Sequence, residues 1–510
     1  MGLLKQIFFY IIYSLSIISL GLIVIISLLW PRDNLLSYQM FIFVPMAVTL
    51  FLLIFWIWEK CWKKIKNVDF IVFILFVLFL TSLYFISCIG RNEPASLVDY
   101  GILYDNAMEL AKGNNIINRE YFLMYSNNIK PMLFLSIIFK MAFYFGINDP
   151  FYFALILSVL EVGAAVLGTF ILIENKEEDK KYRIPILFFY ICCLPIWAST
   201  QAFYTDSMSF CIAIVIIALL KLAIIEEKIL KKVLISFGAG ILLAIGLSIK
   251  ITILITILSA LIICFLAKDK KINKVCIPSC IFISGYIFAS FIINGFAESY
   301  EITNAAKETC DPILAWVALG LKGDGSYAEN REFIQYLHLF SDKNEKSEIC
   351  KQYLKSNFLS FFDIDHIFSK IRCNYSSGHL GNTDFTYYAK YQNNILWELF
   401  APWGKHYWRT SQISFCYVQT MYIVCFIGNI ISVIRYITNK RIFYLKMITD
   451  LSMLGYFIFL MLWEANNRQL YNHIPIMILA GLLNANEIIK FLNQDIFKKI
   501  IYKNRKNYDL

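Results

Sequence analysis

Residues 132–147 read Met132-Leu133-Phe134-Leu135-Ser136-Ile137-Ile138-Phe139-Lys140-Met141-Ala142-Phe143-Tyr144-Phe145-Gly146-Ile147. The run is apolar, but it is shorter than the roughly 20 residues that cross hydrocarbon as a helix, and Lys140 interrupts it. If it crossed, every later loop would change sides, and the Lys-rich loops after residue 174 would oppose Lys60 to Lys66. Laid along the interface, it places Glu59-Lys60-Cys61-Trp62-Lys63-Lys64, Lys176 to Arg183, Lys228 to Lys232, Lys268 to Lys274, Arg435 to Arg441 and Lys498 to Lys506 on one side. Excess Lys and Arg mark the cytoplasmic face, and a short amphipathic helix is stable in the interface plane. The interfacial reading is therefore the consistent one. It predicts about twelve spans, both termini cytoplasmic, and two long polar stretches, 91–131 and 296–411, outside the cytoplasm.

Composition agrees with a multi-pass protein of the cell membrane. Of 510 residues, 59% are hydrophobic and only 16% charged, against about a quarter charged in soluble domains. Apolar segments near 7–30, 40–58, 68–90, 150–173, 183–199, 205–225, 233–249, 251–267, 275–295, 412–434, 443–463 and 471–489 read as helices, because backbone groups in lipid must be satisfied within their own segment. Lys5 precedes a long apolar run without a small-residue cleavage site, which reads as an uncleaved anchor. The formal charge of +10 sits at membrane flanks rather than on a separate basic face, which argues against nucleic acid as a partner. The thirteen cysteines show no zinc spacing; Cys310, Cys350 and Cys373 share one polar loop, which leaves a disulfide open.

The expected fold is an all-α polytopic membrane protein. N-terminal membrane helices occupy 1–90, and a first long outer loop with interfacial helices occupies 91–149. Central membrane helices fill 150–295, and a second outer loop, 296–411, is large enough for a small helical cap. C-terminal membrane helices and a basic tail fill 412–510.

This topology brings ionisable residues from distant segments to one membrane face. Asp99 follows the apolar run ending at Ile89, Tyr204-Thr205-Asp206 opens a span, Lys250 sits between two short spans, and Glu464 and Arg468 precede the last one. A carboxylate at the mouth of a span is costly unless it has a role. Asp99 reads either as a helix cap or as a base that accepts a hydroxyl proton. Asp206 reads as a cap after Thr205 or as a second acidic ligand, either to a divalent cation with Asp99 or as a hydrogen-bond partner for a sugar. Arg468 offers a planar fork suited to phosphate, and Lys250 a point charge; snorkelling at a helix end is the alternative for both. Glu464 stands four residues before Arg468, a helical ion-pair spacing. Gly320 to Gly325 lacks the Gly-Lys-Ser/Thr ending of a phosphate loop. The aromatic run from Tyr387 to Trp408 reads as an interfacial belt, and His338, His366, His379 and His406 as loop residues.

The pattern Asp99-Tyr100-Gly101-x-x-Tyr104-x-x-Ala107-x-x-Leu110-Ala111-x-Gly113 resembles the first large outer loop of bacterial GT-C glycosyltransferases, the group of the protein O-mannosyltransferases and aminoarabinose transferases. Tyr125-Ser126-Asn127-Asn128 is similar to that family's Tyr-Pro-Asn-Asn element, with Ser126 in place of Pro. Tyr204-Thr205-Asp206, Ile249-Lys250-Ile251-Thr252, Trp316-Val317-Ala318-Leu319-Gly320-Leu321 and Trp463-Glu464-Ala465-Asn466-Asn467-Arg468 follow in the family order. The resemblance implies a polyprenyl-phosphate sugar donor and a glycan, lipid or protein acceptor outside the cytoplasm. It implies that Asp99 is the catalytic base with Asp206 as a second catalytic acid group, and that Lys250 and Arg468 hold the donor phosphate. By the same resemblance Tyr104, Asp105, Asn127, Asn128, Trp316 and Glu464 bind substrate. Some relatives use a divalent cation such as Mg or Mn and others none, so the cofactor stays open. Departures at Ser126, at Ile251 and before Trp316 leave the exact substrate unspecified.

Two other functions compete. A transporter or flippase of lipid-linked saccharides predicts ionisable residues deep in the spans and an inverted repeat; Glu161 and Asp450 read as isolated, and no repeat is visible. A polysaccharide polymerase or ligase predicts paired outer-loop arginines instead of an aspartate in the first long loop.

Overall fold

The computed structural model describes residues 2–32, 39–65, 67–96, 98–266, 272–439 and 443–493. The basic tail Lys498 to Lys506, Lys66, Lys268 to Lys271 and Lys440 to Arg441 lie outside those residues. Among the described residues every named element is helical, apart from one isolated bridge between Pro94 and Ala389.

The chain opens with α1 (Gly2–Leu29), α2 (Met40–Cys61) and α3 (Val68–Ile89). The first polar stretch holds α4 (Asp99–Ala111), α5 (Arg119–Met124) and α6 (Ile129–Tyr144). Then come α7 (Pro150–Ile173), α8 (Arg183–Cys192), α9 (Leu194–Ser199), α10 (Ile212–Ile225), α11 (Ile229–Ile249), α12 (Ile253–Leu266) and α13 (Ile272–Glu298). The second polar stretch folds into a small helical cap of α14 (Glu301–Thr309), α15 (Ile313–Leu319), α16 (Arg331–Leu337), α17 (Lys343–Asn357), α18 (Ile364–Tyr375), α19 (Asn382–Tyr387) and α20 (Ile395–Phe400). The chain then returns through α21 (Tyr407–Asn439), α22 (Tyr444–Leu462) and α23 (Ile474–Asn493).

The twelve apolar segments divide into three kinds. Nine are helices long and apolar enough to cross a membrane, and α10 and α12 are shorter apolar helices. The twelfth, 183–199, is split. Cys193 leaves the helical region (φ −79°, ψ 87°), and Pro195, without an amide hydrogen, occupies the first turn of α9. The segment expected from 205 becomes helical only at Ile212. The Ser207 hydroxyl bonds Ala202 and Tyr204 carbonyls and that of Ser209 bonds Thr205 O, at 2.7 Å for the last. Such short polar side chains offer the backbone an alternative to the helical ladder. Most of the segment 132–147 forms α6, which ends at Tyr144 and is outside the nine long helices.

Contacts define two ends of the bundle. At the basic end, Asp69 pairs with Lys180 (3.2 Å) and Arg183 (2.9 Å). At the cap end, Arg91 pairs with Asp149 (2.6 Å), Asp311 N donates to Met124 O (2.9 Å), and Ala465 N to Gly325 O (2.7 Å). The second polar stretch is thus fastened to the first and to the connection after α22. On the membrane side, α11 and α13 pack backbone to backbone. A Cβ on Gly240 would lie 2.1 Å from Phe282 O, and one on Gly285 2.4 Å from Phe237 O. Small residues permit this approach where lipid supplies no hydrophobic drive. All thirteen cysteines are free.

Candidate functional site

Asp99 is the first residue of α4 and is exposed; Val98, not Asp99, occupies the cap position. The helix starts tight against the preceding backbone, since a Cβ at Gly101 would fall 1.8 Å from Ala95 O. Tyr100 packs against Phe385 and Tyr204, at 5.1 and 6.1 Å between ring centroids. The Tyr121 hydroxyl reaches Asp99 and accepts from the Asn128 amide at 2.6 Å. Burial, with Tyr204 and the Asp99 carboxylate adding to it, pushes the Tyr121 phenol well up.

Asp206 sits on the unwound stretch before α10, five residues ahead of the α10 cap at Cys211, and is fully buried. It caps no helix. Its Oδ1 lies 2.8 Å from Lys250 Nζ and its Oδ2 3.2 Å from Arg468 Nε. Lys250 ends α11 in extended geometry (φ −149°), and Arg468 lies on a 3-10 turn, Asn467–His473, whose amide is held by the Asn466 side chain at 3.1 Å. The guanidinium stacks over Tyr204 at 4.8 Å. Both cation side chains keep about a sixth of their surface exposed, against none for the Asp206 side chain.

Glu464 completes the cluster. Residues 463–466 are not helical, so the expected helical pairing with Arg468 does not form, and Arg468 turns to Asp206. Glu464 nevertheless lies within the fields of Arg468, Asp99 and Lys250. Burial pushes its carboxyl up to about 7, with Asp99 raising it further and the two cations opposing. Five ionisable groups from four separate stretches of chain therefore meet at the cap end.

The remaining predicted residues fall around this cluster at different depths. Asn128 is buried and reaches both Tyr121 and Tyr204; Asn127 is exposed and donates to Asn128 at 3.3 Å. Trp316 faces Tyr125 at 6.1 Å. Tyr104 is buried between Phe139 and Phe203, at 5.1 and 6.2 Å, and Asp105 accepts from Ser96; these contacts set both apart from the charged cluster.

Sequence reading missed two supports. His338 Nε2 lies 2.9 Å and Lys346 Nζ 2.8 Å from the buried Asp311 carboxylate. Burial raises that carboxyl, but these two partners bring it below the ordinary range. His338 in turn lies edge-on to Tyr125 at 5.8 Å. Lys370, 1% exposed, donates to the carbonyls of Gly320, Met461 and Trp463 at 2.7–2.8 Å. Burial draws its ammonium down to about 7. It ties the cap to the residue before Glu464. Nothing in the local sequence marks it.

A family model described as a conserved hypothetical integral membrane protein matches residues 2–489. The chain belongs to that family. No curated protein matches it. The family description states membrane integration and no reaction, so the chemistry of this integral membrane protein rests on its residues.

Those residues include an exposed carboxylate, two half-buried cations organised by a buried one, and flanking aromatic rings. They can accept a proton and oppose developing negative charge. Among the described residues no group of three or more His, Cys, Asp or Glu gathers as a metal site. Asp206, the expected acidic partner of a divalent cation, turns both oxygens to cations. The donor set does not fit a metal there.

Proposed function

We propose that this integral membrane protein is a glycosyltransferase that moves a sugar from a polyprenyl-phosphate donor to an acceptor outside the cytoplasm. The observation that carries the reading is the meeting of Asp99, Asp206, Lys250, Glu464 and Arg468 at the end bearing both long polar stretches. Asp99, exposed and at a helix start, takes the proton of the acceptor hydroxyl. The acceptor oxygen then bonds the anomeric carbon from the face opposite the phosphate, and the bond from that carbon to the phosphate oxygen breaks. The lipid phosphate leaves with the electron pair, and the configuration inverts. Lys250 and Arg468 oppose the charge on the departing phosphate, while Asp206 holds both in place. Trp316 and Tyr125 supply aromatic faces beside the reacting groups.

Purified protein incubated with a panel of polyprenyl-phosphate sugars should release the lipid phosphate. Asp99→Asn should lower that release by about 10²–10⁴-fold, the range for loss of a general base, while the protein stays folded in detergent. Full activity in Asp99→Asn removes Asp99 from the mechanism.

A further inference from the structure

The cap carries a group of apolar side chains that its own fold leaves uncovered. The 3-10 turn Phe358–Phe362 leads into α18. Phe358, Leu359, Phe362 and Ile364 are 55, 79, 69 and 65% exposed. The rings hold together, with Phe358 edge-on to Phe361 at 6.0 Å and to Phe362 at 5.8 Å. Exposed apolar residues are ordinarily scattered singly, and a contiguous group marks a contact surface.

Two membrane helices fix the height of this turn. Helix α22 has 19 residues, about 28 Å of helix at roughly 1.5 Å per residue, against roughly 30 Å of hydrocarbon in a bilayer. Its last two residues, Met461 and Leu462, therefore lie at the edge of the hydrocarbon. Phe358, Phe361 and Phe362 line a groove of about 260 Å3 together with those two residues. Helix α18 is also seated on the end of α1. The Arg32 amide donates to Ser376 O and its guanidinium to Cys373 O, both at 3.0 Å, and Trp30 packs on Phe368 at 6.2 Å. Trp30 is half exposed just beyond α1, a position where tryptophan marks the boundary between acyl chains and headgroups.

The apolar surface of the crossing helices thus runs on into the cap, since Leu29 and Leu462 at the ends of α1 and α22 are themselves about half exposed. Carboxylates set the depth. Asp363 and Asp365 are exposed on either side of Ile364, and Asp363 caps α18 by accepting from the Asp365 amide at 3.1 Å. Charged groups stay among the headgroups while an apolar face sinks roughly 5–10 Å into the boundary.

We propose that the turn Phe358–Phe362 and the start of α18 are a membrane-inserted foot of the cap, with a phospholipid acyl chain in the groove against Met461 and Leu462. Phe358, Leu359, Phe362 and Ile364 enter the leaflet at the cap end, and Asp363 and Asp365 remain at its surface. Lys370 links the foot to the charged cluster. It stands in the groove wall and donates to the carbonyls of Gly320, Met461 and Trp463, so the bilayer sets the height of the residue before Glu464. The foot is independent of the sugar-transfer reading, because it uses neither Asp99 nor a donor.

The full chain in vesicles of phosphatidylethanolamine and phosphatidylglycerol, with photoreactive p-benzoylphenylalanine replacing Leu359 or Phe362, tests the foot. Both native side chains are more than two-thirds exposed, so the larger group displaces no packing. After irradiation, mass spectrometry should find phospholipid adducts at either position at least tenfold above those from the same group replacing Glu345. That residue is exposed towards the other end of α17, about 18 Å of helix from the turn. A smaller probe reads the same contact: bimane on Leu359→Cys, with Cys61, Cys276 and Cys280 as serine, should be quenched more by lipid carrying a doxyl group on its acyl chain than by iodide. Adducts no more abundant than at Glu345, stronger quenching by iodide, a cross-link to a second copy of the chain, or selective capture of polyprenyl phosphate added as a minor lipid overturns the proposal.

Discussion

Asp206 shows how one side chain can govern two others. It is a buried anion with a cation on each oxygen, so its removal strands Lys250 and Arg468 in a low-dielectric pocket. Breaking such a buried set by deleting one partner typically costs about 3–5 kcal/mol. Asp206→Ala should therefore show a large fall in melting temperature in detergent; an unchanged melt would mean that water already solvates the two cations. Glu464 makes a pH-dependent contribution. Its folded carboxyl titrates near 7 and the ordinary carboxyl near 4.5, so its stabilising share is complete below the ordinary value and is lost as pH rises through 7. At pH 8, Glu464→Gln should be more stable than the unmodified chain by an order of 3 kcal/mol, with the gap closing towards pH 4.5. Melting curves across that range check it, and a gap that widens on acidification contradicts it.

At the scale of elements, the start of α4 is the most constrained piece of the site. Gly101 faces the Ala95 carbonyl with no room for a methyl group, so Gly101→Ala must shift the helix that carries Asp99. Activity should drop more than tenfold through displacement of the base, since small misplacements of catalytic groups are costly, while the far end of the bundle stays folded; unaltered turnover would show that α4 adjusts freely. Most elements were legible in the sequence because apolar runs in lipid have few alternatives to helix. The short α6, outside the long apolar helices, and the helical cap were readable from length, Lys140 and polar composition. What could not be read was where backbone departs from helix. The Cys193 break and the unwound 200–211 stretch depend on Pro195 and on Ser and Thr hydroxyls that hydropathy averages away. The i, i+4 spacing of Glu464 and Arg468 misled for the same reason: helical neighbours exist only where the chain is helical.

For the whole molecule, a basic end and a cap end make opposite predictions for a membrane-impermeant maleimide. With exposed Cys61, Cys276 and Cys280 replaced by serine, Lys322→Cys in the cap should label on intact cells, and Lys63→Cys only after permeabilisation; the reverse pattern inverts the topology. Convergence of the charged residues could be anticipated from topology, because parity alone assigns them to one face. The Lys446–Asp450 and Arg435–Glu487 pairs could not, since each partner reads as a flank charge or an isolated polar residue until the helices are assembled. The glycine-to-glycine seam between α11 and α13 adds a mechanical constraint. Two backbones in direct touch have no side-chain cushion to absorb a change, so any bulk introduced at Gly240 pries the pair apart like a wedge in a hinge. Lys250 hangs from the tip of that lever, and a lesion buried in lipid would loosen its grip on Asp206 from a distance.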